Sequence, residues 1–171
     1  METSVFGGGC FWCIEAVFKR IKGVGKVMPG YAGGRSARPS YREVCGGGTA
    51  HAEVVKVDFD PAEVSYRALL EVFFKAHDPT TPNRQGGDVG DQYRSVILYL
   101  NDEQKKEAQT YIAILESEKV FPRPIVTQVK PLGEFYEAEE YHRDYYAQHQ
   151  DQAYCRLVIT PKLAKFKDLP S

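Results

Sequence analysis

The chain has 171 residues, with 22 Lys+Arg against 23 Asp+Glu and a formal net charge of −1. That length suits one domain with a substantial core, and the even balance without charge runs argues against nucleic acid as a partner. The start METSVFGGG carries no basic or apolar leader, and no apolar run approaches the roughly 18 residues of a membrane span, so the expectation is a cytoplasmic monomer, one domain over residues 1–171, without membrane contact.

In chain order, Ser4 to Phe6 read as a short strand entering Gly7-Gly8-Gly9. Ile14, Val17, Phe18 and Ile21 then recur at the spacing of a buried helix face, and Gly23 stops that helix. Val24 to Tyr31 predicts a second strand, followed by a glycine- and arginine-rich loop from Gly30 to about Thr49. From Glu53 to Phe59 the alternation is clean, with Val55, Val57 and Phe59 on one face, Lys56 and Asp58 on the other, and Glu53 at the apolar parity. Tyr66, Leu69, Leu70, Phe73 and Phe74 form the stripe of a helix ending near His77, and a second loop covers Asp78 to Gln92. Tyr93 to Leu100, apolar on both parities, predicts a strand covered on both faces. Asn101 with Gln104 resembles a capping arrangement for a helix through about Glu118, and Val126 to Val129 adds an edge strand. The last fifth, with Tyr141, Tyr145 and Tyr146 near helical spacing, wraps the core ahead of a tail from Cys155 to Ser171, the segment expected to move most. The order strand-helix-strand, twice over, predicts an α+β two-layer sandwich with a mixed sheet and a ferredoxin-like split βαβ core.

Four cysteines in 171 residues are too few for a disulfide scaffold, which leaves catalysis or metal binding. Cys10 follows three glycines and precedes the first helical turn, where unpaired backbone N–H groups favour a thiolate. Phe11 and Trp12, the only tryptophan, lie at the same turn outside the helix's core stripe. They can line an apolar recess for a sulfur-bearing side chain or fill a second core layer.

Gly9-Cys10-Phe11-Trp12-Cys13 resembles the signature of peptide-methionine sulfoxide reductases of the A type. The resemblance extends in order through Gly30-Tyr31-Ala32-Gly33-Gly34, Pro39-Ser40-Tyr41, Cys45 with Thr49 to Glu53, His77-Asp78-Pro79, Asn83-Arg84-Gln85-Gly86 and Gln92-Tyr93-Arg94-Ser95. It continues more weakly through Glu140-Tyr141-His142, Tyr154-Cys155 and Pro161-Lys162. The resemblance implies a Cys10 nucleophile that reduces methionine S-sulfoxide, free or in oxidised proteins. It implies Glu53 as proton donor, Tyr41 and Tyr93 as hydroxyls at the sulfoxide oxygen, and Phe11, Trp12, Asp88 and His142 around the substrate. Glu53's parity agrees, since an apolar setting favours a neutral carboxyl. Two positions depart from the family pattern: Ala50 stands where a glycine is usual before His51, and Asp91 replaces a threonine. If that glycine serves a positive φ, the loop path at Ala50 is strained.

Oxygen transfer leaves a sulfenic acid, which condenses with a second thiol. By resemblance Cys155 is the first choice for that thiol and Cys45 the second. Cys13, at C-x-x-C spacing, is a further candidate or a bystander. Thioredoxin is the implied reductant, and neither a cofactor nor a metal is implied. Two other readings of the cysteines stay open: a zinc module from Cys10, Cys13, Cys45 and His51, and a general dithiol oxidoreductase built on Cys10 and Cys13.

Overall fold

A computed structural model describes residues 1–164; the rest of the expected tail lies outside the described residues. The elements run β1 (Glu2–Gly8), α1 (Phe11–Phe18), β2 (Val24–Ala32), α2 (Tyr41–Cys45), β3 (Ala52–Phe59) and α3 (Tyr66–Ala76). Then come β4 (Arg84–Gln85), β5 (Asp88–Val89), β6 (Ser95–Tyr99), α4 (Asp102–Ser117), β7 (Gln128–Pro131), β8 (Phe135–Glu137), α5 (Tyr145–Gln148) and α6 (Thr160–Ala164).

One six-stranded sheet has the order β7-β6-β1-β3-β2-β8. β3 lies antiparallel between β1 and β2, so those two strands run parallel to each other, and β1 lies antiparallel between β3 and β6. The β6–β7 pair is parallel, which makes the sheet mixed, in line with the expected α+β class.

Alternation along the central strands divides the apolar residues between the two faces. Phe6, Val55, Val57, Phe59 and Ile97 face α1 and α3, where Phe6 stacks on Phe18 and Phe73 at 5.3 and 5.0 Å. Val5, Val54, Val96 and Leu98 form a smaller cluster with Ala32 and Ala52. Burying each large apolar side chain contributes about 1.5–3 kcal/mol, so the first face dominates stability and fixes α1, with Cys10 at its head, against β3.

Several local expectations change. The loop after β2 contains α2, nucleated by a capping box between Ser40 and Glu43. The second loop contains the β4–β5 hairpin and a 3-10 turn at Asp91–Tyr93, so β6 begins at Ser95 and Tyr93 sits before it. β8 pairs with β2 where no strand is expected, and the edge strand near Val126 starts at Gln128. The tail does not leave the body at Cys155. That residue begins a π-helical turn (Cys155–Ile159) leading into α6, and has no exposed surface.

Candidate active site

The glycine turn places Cys10 where β1 meets α1. Gly9 has φ +97°, and a Cβ there would stand 2.7 Å from Cγ of Gln85, so both conformation and space require glycine. Gln85 is fixed in turn: its Oε1 accepts from the Asp78 N–H at 2.9 Å and its Nε2 donates to the Asp78 carbonyl. The loop from Asp78 to Gly90 is thereby clamped over the Cys10 turn.

β3 delivers Glu53 to the same place from below. Its parity points it toward α1, where Oε1 accepts the Phe11 N–H at 3.2 Å and Oε2 has no protein partner. Glu53 is 1% exposed, and burial pushes its carboxyl up to about 8 against the opposing Phe11 N–H. It is therefore a neutral, proton-donating acid at pH 7. Asp88, on β5, lies close enough to add to that shift.

Cys10 does not rest as the thiolate expected from its helix position. Burial pushes its thiol well up, hydrogen bonding to Cys13 and the Glu53 charge add to this, and the backbone at Trp12 opposes it less strongly. Cys13 moves the other way, to about 7, because the Cys10 thiol hydrogen-bonds to its sulfur. Of the two thiols Cys13 therefore ionises first and Cys10 keeps its proton.

Tyr41 and Tyr93 approach from α2 and from the 3-10 turn. Both phenols lie near the exposed Cys45 thiol, and burial followed by the nearby Glu53 charge raises both. Trp12 is half-buried and forms the open wall. Its Nε1 donates to His142 Nδ1 at 3.0 Å, and its ring stacks on Tyr145 at 3.8 Å and 6°. Phe11 has no exposed surface; its ring packs on Tyr31, Tyr41 and His142, and its backbone N–H is what reaches the site.

The ten residues Cys10, Phe11, Trp12, Cys13, Tyr41, Cys45, Glu53, Asp88, Tyr93 and His142 thus converge from most of the chain's length. Cys155 sits behind them, where a Cys13 charge raises it further after burial has done so. Tyr154 had no expected role; its hydroxyl donates to Asp88 at 2.9 Å and lies 3.7 Å from the Cys13 sulfur. Nothing in a tyrosine beside a cysteine marks that contact in the sequence. A cavity of about 900 Å³, lined by Cys10, Cys13, Asp88, Phe121, Tyr154 and Lys162 among others, opens on this side. His51 turns away from the cysteines: Nδ1 accepts from Gly34 N–H at 3.0 Å and Nε2 donates to the Ser36 carbonyl at 2.6 Å. Among the described residues no group of three or more His, Cys, Asp or Glu is placed to hold a metal.

The peptide methionine sulfoxide reductase profile matches residues 2–170. The chain belongs to the peptide methionine sulfoxide reductase family. A relative in this enzyme family, the peptide methionine sulfoxide reductase MsrA of Sulfolobus acidocaldarius, is 56% identical over 171 residues, covering 99% of this chain and 96% of its own. Reduced Mxr1 from Saccharomyces cerevisiae superposes with a TM-score of 0.84 at 33% identity, covering 90% of this chain and 88% of that one. Mxr1 in complex with Trx2 matches with a TM-score of 0.60 at 25% identity, covering 84% of each chain. As a peptide methionine sulfoxide reductase the chain reduces methionine sulfoxide, and no helix among its described residues is long and apolar enough to cross a membrane.

Proposed function

We propose that Cys10 attacks the sulfur of the S epimer of methionine sulfoxide, free or within an oxidised protein, in the repair of oxidative damage. The observation that carries this reading is the buried Glu53 carboxyl beside the cysteine pair, neutral at pH 7, with Oε2 unpartnered. A sulfoxide oxygen leaves poorly unless protonated. As the Cys10 sulfur bonds to the sulfoxide sulfur it gives up its proton to the adjacent Cys13 thiolate, while the oxygen takes the Glu53 proton and the Tyr41 and Tyr93 hydroxyls bind it. Oxygen transfer then leaves the thioether and a Cys10 sulfenic acid. Trp12 receives the apolar end of the side chain, with His142 and Asp88 holding the pocket.

A second thiol attacks the Cys10 sulfur and expels the oxygen as water, leaving a disulfide. Cys13 faces Cys10 directly, and its neighbour Cys155 continues the route, with Cys45 on the opposite, exposed side. Thioredoxin, read from the partner of Mxr1, reduces that disulfide. We read residues 1–171 as one cytoplasmic, monomeric catalytic domain. Within it, β6-β1-β3-β2 with α1 and α3 forms a ferredoxin-like split βαβ core extended by β7 and β8.

The test is turnover of each sulfoxide epimer with dithiothreitol, for the wild type and Cys10→Ser. Reduction of the S epimer that falls to background in the variant is expected. Preference for the R epimer, or undiminished turnover by Cys10→Ser, would overturn the reading.

A further inference from the structure

Two carboxylates outside the pocket tie down the segment that crosses its mouth. Glu139 accepts the buried Tyr31 hydroxyl on Oε1 at 2.9 Å and the Tyr41 N–H on Oε2 at 3.0 Å. The Tyr141 hydroxyl reaches the same Oε2 at 3.4 Å. One side chain therefore joins the end of β2, the first residue of α2 and its own segment, and it holds the Tyr41 ring 4.4 Å from His142 and 6.2 Å from Phe11.

At the far end Glu15, on α1 and 1% exposed, accepts the Asp144 N–H at 3.0 Å. Lys19 pairs with Asp144 at 2.9 Å and with Glu15 at 3.7 Å. Asp144 has φ 54°, a left-handed conformation that Asp enters more readily than most residues and that the Glu15 and Lys19 contacts hold. Between the two ties lie His142, which orients Trp12 by a hydrogen bond, and Tyr145, which stacks on it.

We infer that Glu139 and Glu15 are positioning residues: they fix the 139–145 segment so that Tyr41 and Trp12 stand at the distances the sulfoxide requires. Glu139 acts through Tyr41 and therefore on the chemical step. Glu15 acts through Tyr145 and Trp12, and therefore on binding. Shifts on the order of 1 Å in such groups cost up to about a hundredfold in rate. The inference rests on the pocket proposed above, but one readout is independent of catalysis: Trp12 is the only tryptophan, so protein fluorescence reports the segment's position.

The experiment measures kcat and KM for methionine S-sulfoxide with dithiothreitol, and Trp12 emission, in Glu139→Ala, Glu15→Ala and Glu15→Gln. Glu139→Ala should lower kcat roughly tenfold. In a Tyr41→Phe background the same change should add less than about twofold, because both act on one group. Glu15→Ala should shift the emission and raise KM more than it lowers kcat. Glu15→Gln should restore both, since an amide oxygen can still accept the Asp144 N–H. Tyr31→Phe, nearly isosteric, should reproduce part of the Glu139→Ala loss even if the alanine variant fails to fold. Full additivity of Glu139→Ala with Tyr41→Phe, or wild-type kcat in both Tyr31→Phe and Glu139→Ala, would overturn the role of Glu139. Unchanged emission and KM in Glu15→Ala would overturn that of Glu15. A wild type without sulfoxide turnover would instead remove the functional reading, leaving the fluorescence comparison intact.

Discussion

Glu53 was legible as an apolar-parity carboxyl because a strand's period is fixed at two. Its neighbours were not legible, and they decide how strongly burial acts. With its carboxyl pushed up to about 8, the proton-donating form is present below that pH and is lost as pH rises through it. Wild-type kcat should therefore fall on the alkaline side near pH 8, and Glu53→Gln should lose that limb along with about a hundredfold or more in kcat, read from pH–rate profiles. Cys10 teaches the opposite lesson: a helix start argues for a thiolate, but burial beside Cys13 outweighs the backbone at Trp12. At Ala50 the sequence-based concern about φ is met directly, because the residue adopts φ 60°. Ala50→Gly should raise the unfolding free energy by about 0.5–1 kcal/mol, checked by denaturant titration; the relieved strain exceeds the added freedom of the unfolded chain.

Long, periodic helices were readable from their stripes, and their caps from residue type. Asn101 accepts the Gln104 N–H at 2.9 Å, while Gln104 Oε1 accepts the Leu100 N–H at 3.0 Å and its Nε2 donates to the Thr3 carbonyl at 2.8 Å. Asn101→Ala should lower stability by about 1 kcal/mol in thermal or chemical unfolding, with kcat unchanged, since α4 lies away from the pocket. Short elements carried no such signal. Five residues of α2 make too little periodicity to read, although Ser40 and Glu43 are spaced for a capping box. β8 exists because β2 offers it an edge, and that edge is set by the rest of the sheet.

Across the whole molecule, the strand order brings Cys10, Tyr41, Glu53, Tyr93 and His142 together from separate elements, a consequence of β3 lying between β1 and β2. The same packing seals Cys155, which has no exposed surface. A recycling route through Cys155 needs the segment from Tyr154 to Ala164 to shift once Cys10 is oxidised. Cys155→Ser should leave the methionine yield of a single turnover intact and slow thioredoxin-driven turnover roughly tenfold or more. Equal steady-state rates in the two proteins would remove Cys155 from the route and leave Cys13 and Cys45.

Local periodicity and residue chemistry determined the order of long elements, the position of Cys10 at a glycine turn and the inward parity of Glu53, because these follow from spacing along the chain. The signature Gly9-Cys10-Phe11-Trp12-Cys13 marked the family for the same reason: reacting groups on one turn stay adjacent in any fold. Only the tertiary structure decided that Cys10 rests protonated against Cys13, that Phe11 is core while Trp12 is wall, and that Glu139 joins Tyr31 to Tyr41. Burial and long-range hydrogen bonds depend on which elements close over a residue, and that is a property of the packed chain rather than of any segment of it.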